Sequence, residues 1–140
     1  MSPILLNPGP VTLSDGVRRA AIAEDLCHRE PEFTRIQEAV LNGLVAVYDC
    51  DPAEWQSIAL GGSGTVAMEA MVASLLPADG ALLVLENGVY GERLSSIADI
   101  HGIENASVRA EWGAPIDLAA VEATLASGNF SHLAMVHHET

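Results

Sequence analysis

The chain reads as an α/β protein: an N-terminal arm and helices, followed by part of a mostly parallel sheet covered by helices. Three observations predict this class. From Gln56 onward, short apolar runs alternate with helical stretches. Gly or Pro stands at most of the junctions. A glycine-rich turn, Gly61-Gly62-Ser63-Gly64-Thr65, joins the first of those runs to the first of those helices. Continuous apolar strands alternating with helices imply a parallel sheet with both faces covered. In such sheets ligands bind beyond the carboxyl ends of the strands.

Taken in order, Ile4-Leu5-Leu6-Asn7-Pro8-Gly9-Pro10 is an apolar stub running into two prolines that forbid helix, which predicts an extended arm. Ser14 is placed to cap a short helix through about Ala23, and Glu32–Val47 carries Phe33, Ile36, Val40, Leu44 and Val47 at helical spacing. Between them, Asp25-Leu26-Cys27-His28-Arg29-Glu30-Pro31-Glu32-Phe33 reads as a polar connection. The adjacent Cys27 and His28 on such an irregular segment are not expected to converge as a nucleophile or as metal ligands.

Strands are expected at Gln56–Leu60, Ala81–Glu86, Ala106–Ala110 and Leu133–His137, and helices at about Thr65–Leu76, Tyr90–His101 and Asp117–Ala126. Pro77-Ala78-Asp79-Gly80, Gly102 and Gly128-Asn129 mark the ends. The stretch from Thr65 to Leu76 leaves almost no polar stripe, which predicts a buried helix. On this reading residues 1–50 are arm and helices, and residues 51–140 carry the sheet.

Composition narrows the function classes. At 140 residues and 49% hydrophobic, the chain is one globular domain's worth of sequence. Nineteen Asp and Glu against six Arg and no Lys give a formal charge of −13, which opposes nucleic acid and anionic membranes as partners. A phosphate site must then rely on local N–H groups rather than on the overall field. No apolar run suffices to span a bilayer and no charged leader opens the chain, so a cytoplasmic address is expected. Cys27 and Cys50 lack CxxC spacing, which predicts reduced thiols.

The glycine turn would expose backbone N–H groups at a helix N-terminus, where an anion can sit. Gly62-Ser63-Gly64-Thr65-Val66-Ala67 also fits G-x-G-x-x-A, with Glu86 closing the next strand where a dinucleotide site holds its ribose-binding acid. That leaves an NAD(P)-binding module using Gly62, Gly64, Ala67 and Glu86 as an alternative, although the motif should open the fold and here follows an arm and helices. A Walker A site is excluded, because no Lys follows the glycines.

Leu5-Leu6-Asn7-Pro8-Gly9-Pro10, Asp25 to Phe33, Gly62-Ser63-Gly64-Thr65, Glu86-Asn87-Gly88-Val89-Tyr90-Gly91-Glu92-Arg93 and His137-His138-Glu139-Thr140 together resemble the class V aminotransferases, in order and over the whole chain. The resemblance is greatest to the branch that moves the amino group of 2-aminoethylphosphonate to pyruvate, giving phosphonoacetaldehyde and alanine. It implies the large domain of a fold-type I pyridoxal-phosphate enzyme. It also implies a cofactor phosphate on Ser63, Gly64 and Thr65, a pyridine ring against Tyr90, and the Thr140 hydroxyl near that ring. Asn7–Pro10 resembles the family's substrate-side loop.

His137 and His138 beside Glu139 invite a metal reading, but strand alternation would send the two rings to opposite faces, so no metal is expected. Transamination also needs a lysine amine to hold the cofactor and move a proton. The chain has no lysine, so no catalytic residue is assigned within it. The resemblance therefore implies the N-terminal part of a longer enzyme, inactive alone. The expected partners are a small amino donor, pyruvate, and either a second copy or the rest of the enzyme. A non-catalytic interaction subunit stands as the other alternative.

Overall fold

A computed structural model describes residues 4–6 and 9–139. They form two compact units, one holding Val11–Gly61 and the other running on from Gly62, with Gly9 and Pro10 grouped with the second. The first unit contains α1 (Asp15–Ala20) and α2 (Pro31–Val47). Ser14 caps α1 by accepting a hydrogen bond from the Val17 N–H, and Arg18 and Arg19 meet the negative end of its dipole. Pro31 opens α2, where its missing N–H costs nothing, and Asp49 at φ 51° lies just beyond its end. Leu41 and Val45 face the Pro52–Trp55 segment, while Ile36, Val40, Leu44 and Val47 lie exposed.

The second unit contains α3 (Gly64–Leu75), β1 (Ala81–Glu86), α4 (Val89–Ile100), β2 (Glu104–Arg109), α5 (Leu118–Ser127) and β3 (His132–Met135). The strands are all parallel in the order β2-β1-β3, with Leu83 opposite Ala106 on one side and Leu133 on the other. The chain leaves β1 for β2 on one flank, then passes back across β1 to reach β3. Two crossovers of one hand running in opposite directions put their helices on opposite faces. Leu82 and Val84 accordingly pack with Val72 of α3 and with Leu94, Ile97 and Ala98 of α4, while Leu83 and Leu85 pack with Val108 and with Val121 of α5. Every residue of β1 is buried, and each Leu or Val so buried contributes about 1.5–3 kcal/mol. Gly91 lets the first turn of α4 press on β1, since a Cβ there would stand 2.9 Å from the Glu86 Cα.

The α/β class and the helices on both sheet faces are as the sequence predicts. Four local expectations are corrected. Gln56–Leu60 is no strand: it finds no ladder partner among the described residues, and an apolar run without one remains irregular. α3 is not buried all round, because only the Val72 stripe meets the layer below, leaving Met71 and Leu75 exposed. β2 begins at Glu104 because pairing with Ala81 and Leu82 recruits the polar Glu104 and Asn105, which hydrophobicity alone passes over. β3 stops at Met135, where the next carbonyl, that of Val136, accepts from Asn87 Nδ2 at 3.1 Å. No helix among the described residues is long and apolar enough to cross a membrane.

Candidate cofactor site at the strand ends

α3 begins at the glycine turn. Ser63 holds extended backbone at the cap position and its hydroxyl makes no cap hydrogen bond, so the helix start is not closed by its own cap. The Ser63 carbonyl accepts from the Val66 and Ala67 N–H groups. Ser63 and Gly64 are exposed, Thr65 is half-buried, and the space beside Gly64 is open, with nothing within 4 Å of where a Cβ would stand. These are the features a phosphate requires: unspent N–H groups at a helix start, two hydroxyls, and no side chain in the way.

The loop after β1 supplies the facing wall. Tyr90 stands in the first turn of α4, and three residues on, one helical turn away, the Arg93 guanidinium carbon lies 4.8 Å from its ring centroid. The Arg93 Nη1 also donates to the Thr65 Oγ1 at 3.0 Å, tying the start of α3 to α4. A recess of about 460 Å³ opens between Met68 and Met71 of α3, Tyr90 and Leu94 of α4, and Met135 and His138 at the end of β3. Gly9 of the arm lines it as well. The walls are apolar apart from the Tyr90 and His138 tips, as suits a flat aromatic ligand held by a few polar groups.

The segment after β3 locks onto α4. Glu139 Oε2 accepts from the Tyr90 N–H at 3.0 Å and Oε1 from the Gly91 N–H at 2.8 Å, so a carboxylate from across the sheet fills the α4 N-terminus. Gly88 makes room for it, because a Cβ there would lie 2.6 Å from the Glu139 carboxyl carbon. Asn87 donates to the Val136 carbonyl, and its buried Oδ1 has no partner among the described residues.

Of the predicted site residues, Tyr90 lines the recess and Thr65 is joined to it through Arg93, with Ser63 and Gly64 next to Thr65 in the chain but not among the residues lining the recess. Thr140, Asn7 and Pro8 lie outside the described residues. The expectation that His137 and His138 point to opposite faces is overturned: their rings meet edge to face at 4.3 Å, with the two Nδ1 atoms 3.0 Å apart. The strand has already ended at Met135, so two-residue alternation no longer governs them. Glu86, the acid of the dinucleotide alternative, is only 3% exposed, and both its oxygens are engaged, one by the Ser95 hydroxyl and the other by Arg109. Among the described residues no strand precedes the glycine turn, so that motif also lacks its required context.

Sequence reasoning missed the parts played by Arg93 and Glu139. Arg93 carried a usable signal, the three-residue spacing from Tyr90 that stacks two side chains on one helix face. Glu139 carried none, because its partners lie 48 and 49 residues away.

No family model matches the chain. It is 36% identical over 140 residues to the 2-aminoethylphosphonate–pyruvate transaminase of Pseudomonas putida strain W619, covering 99% of this chain and 38% of that protein. Among solved structures it is similar to an alanine–glyoxylate aminotransferase from Nostoc sp., with a TM-score of 0.80 and 28% identity over 99% of this chain and 36% of that one. It is similar also to pyridoxamine–pyruvate aminotransferase from Mesorhizobium loti, with a TM-score of 0.82 and 25% identity over 99% of this chain and 35% of that one. The chain thus spans a little over a third of the length of the proteins it matches. Over its length it is similar in sequence and in fold to the N-terminal part of the fold-type I aminotransferases.

Proposed function

We propose that this chain supplies the phosphate cradle and ring platform of a pyridoxal-phosphate transaminase that moves the amino group of 2-aminoethylphosphonate to pyruvate. The observation that carries the reading is the link that Arg93 makes, within one unit, between Thr65 at the uncapped start of α3 and Tyr90, which walls the apolar recess. The Gly64 and Thr65 N–H groups and the Ser63 and Thr65 hydroxyls would hold the phosphate, and Tyr90 would stack on the pyridine ring. Thr140 belongs to the same proposal through its place after Glu139. Bound there, the cofactor supplies an electron sink for amino-group transfer. The residues named here bind it, orient it and exclude water from one face.

A lysine that anchors the cofactor and moves the proton is not among the 140 residues, so the chain by itself binds without catalysing. The choice of 2-aminoethylphosphonate as donor is supported by the transaminases that share 36% identity with this chain. Association with a second copy, or with a polypeptide bearing the lysine, belongs to the same reading, as does a cytoplasmic address, which the free Cys27 and Cys50 support.

Thermal unfolding in the presence of pyridoxamine 5′-phosphate, NAD or NADP tests the cofactor class. A ligand at about 100 times its Kd adds about 2.7 kcal/mol to stability. We expect the pyridoxamine compound to raise the Tm and neither dinucleotide to do so. A shift with NAD or NADP alone would overturn the reading.

A further inference from the structure

Arg93 is the one arginine among the described residues that is not exposed. Arg35 pairs with Glu32 and Arg109 with Glu86, while Arg93, like the exposed Arg18, Arg19 and Arg29, has no carboxylate partner among the described residues of a chain with 19 acids. It is half-buried, donates to the Thr65 Oγ1 at 3.0 Å, and covers the Tyr90 ring at 4.8 Å. A guanidinium has donors only, so the Thr65 hydroxyl accepts from it and must aim its own hydrogen elsewhere. The open space at the start of α3 is where an anionic acceptor for that hydrogen would sit.

We infer that Arg93 is a positioning residue that tunes this site to a phosphate monoester. Accepting from a cation makes the Thr65 hydroxyl a stronger donor, and the unpaired positive charge offsets the repulsion that a −13 chain exerts on a dianion. The cation–π contact with the Tyr90 ring keeps the guanidinium itself in place beside Thr65. This inference rests on the proposed cofactor site and deepens it. It adds a cation to the local N–H groups and hydroxyls expected to hold a phosphate here.

Calorimetric titration of the full chain with pyridoxamine 5′-phosphate and with unphosphorylated pyridoxamine tests it. Arg93→Ala is expected to weaken the phosphorylated ligand about tenfold, the range of one hydrogen bond to a charged group, and to change pyridoxamine by less than about twofold. A residue that only supports the fold would weaken both ligands equally, and that result would overturn the inference, as would no loss for either. Arg93→Lys keeps the charge but not the fork and should recover part of the loss. If the alanine variant unfolds, the lysine variant carries the same comparison of ligands. In a Thr65→Val background, Arg93→Ala should cost much less than in the native chain, and full additivity of the two losses would sink the action through Thr65. If the native chain binds neither ligand, the cofactor reading itself falls and takes the inference with it; native binding with an unchanged ligand ratio in Arg93→Ala sinks the inference alone.

Discussion

Removing the Glu139 carboxylate should loosen the start of α4 without touching the hydrophobic layers. The carboxylate accepts from two backbone N–H groups at 3.0 and 2.8 Å, and it stands at the positive end of the helix. A hydrogen bond to a charged group contributes about 1.5–3 kcal/mol and a helix cap about 0.5–2 kcal/mol, and water will reach part of this half-buried site. Glu139→Ala should therefore cost about 2–3 kcal/mol, and Glu139→Gln, which keeps one acceptor oxygen, about half that. Gly88 provides an internal control. Its φ of 170° is extended backbone open to any residue, so Gly88→Ala tests only the approach of a Cβ to within 2.6 Å of the Glu139 carboxyl carbon. Alone it should destabilise by about 1–3 kcal/mol as an overpacked contact, and in the Glu139→Ala background its cost should nearly vanish. Urea unfolding followed by circular dichroism reads all four proteins. Additive losses at the two positions, or a Glu139→Ala cost within about 0.5 kcal/mol of zero, would refute the clamp.

Other outcomes follow from the same structure. Leu83 is fully buried at the centre of β1, so Leu83→Ala should cost about 2–5 kcal/mol in the same unfolding assay, whereas Ile100→Ala, 79% exposed, should stay within about 0.5 kcal/mol. Borohydride reduction of the chain with pyridoxal phosphate should leave no adduct at any internal residue, since no lysine is present; peptide mass mapping that found one would contradict the assignment of a binding role without catalysis. Exposed Ile36, Val40 and Val47 on α2, and Met71 and Leu75 on α3, should favour association, so sedimentation at low micromolar concentration is expected to show species larger than a monomer. A well-behaved monomer would remove the association from the proposed function.

What the sequence made legible is what local chemistry decides. Ala81–Glu86 reads as a buried strand because five apolar residues run up to one terminal acid, and it occupies the middle of the sheet. α5 is legible from Asp117, which accepts from the Ala119 and Ala120 N–H groups as an N-cap should. The proposed phosphate cradle rests on the same kind of signal, since the glycines of a tight turn and the hydroxyls beside them are neighbours in sequence. The failures share the opposite cause. Gln56–Leu60 has a strand's composition, but a strand exists only with a partner, and composition does not say where the partner is. α3 is apolar on every side, yet how many of its sides are covered depends on what packs there, which only Val72 and its neighbours reveal. Within the site, Thr65 depends on a guanidinium 28 residues away and Tyr90 on a carboxylate 49 residues away. Both of these distant partners act through α4. The residues a motif can name are those proposed to touch the ligand, while the ones that hold them in register come from elsewhere in the fold: Arg93 from α4 and Glu139 from the segment after β3. Substitutions at Arg93 and Glu139 should therefore disturb ligand geometry even where every motif residue is intact.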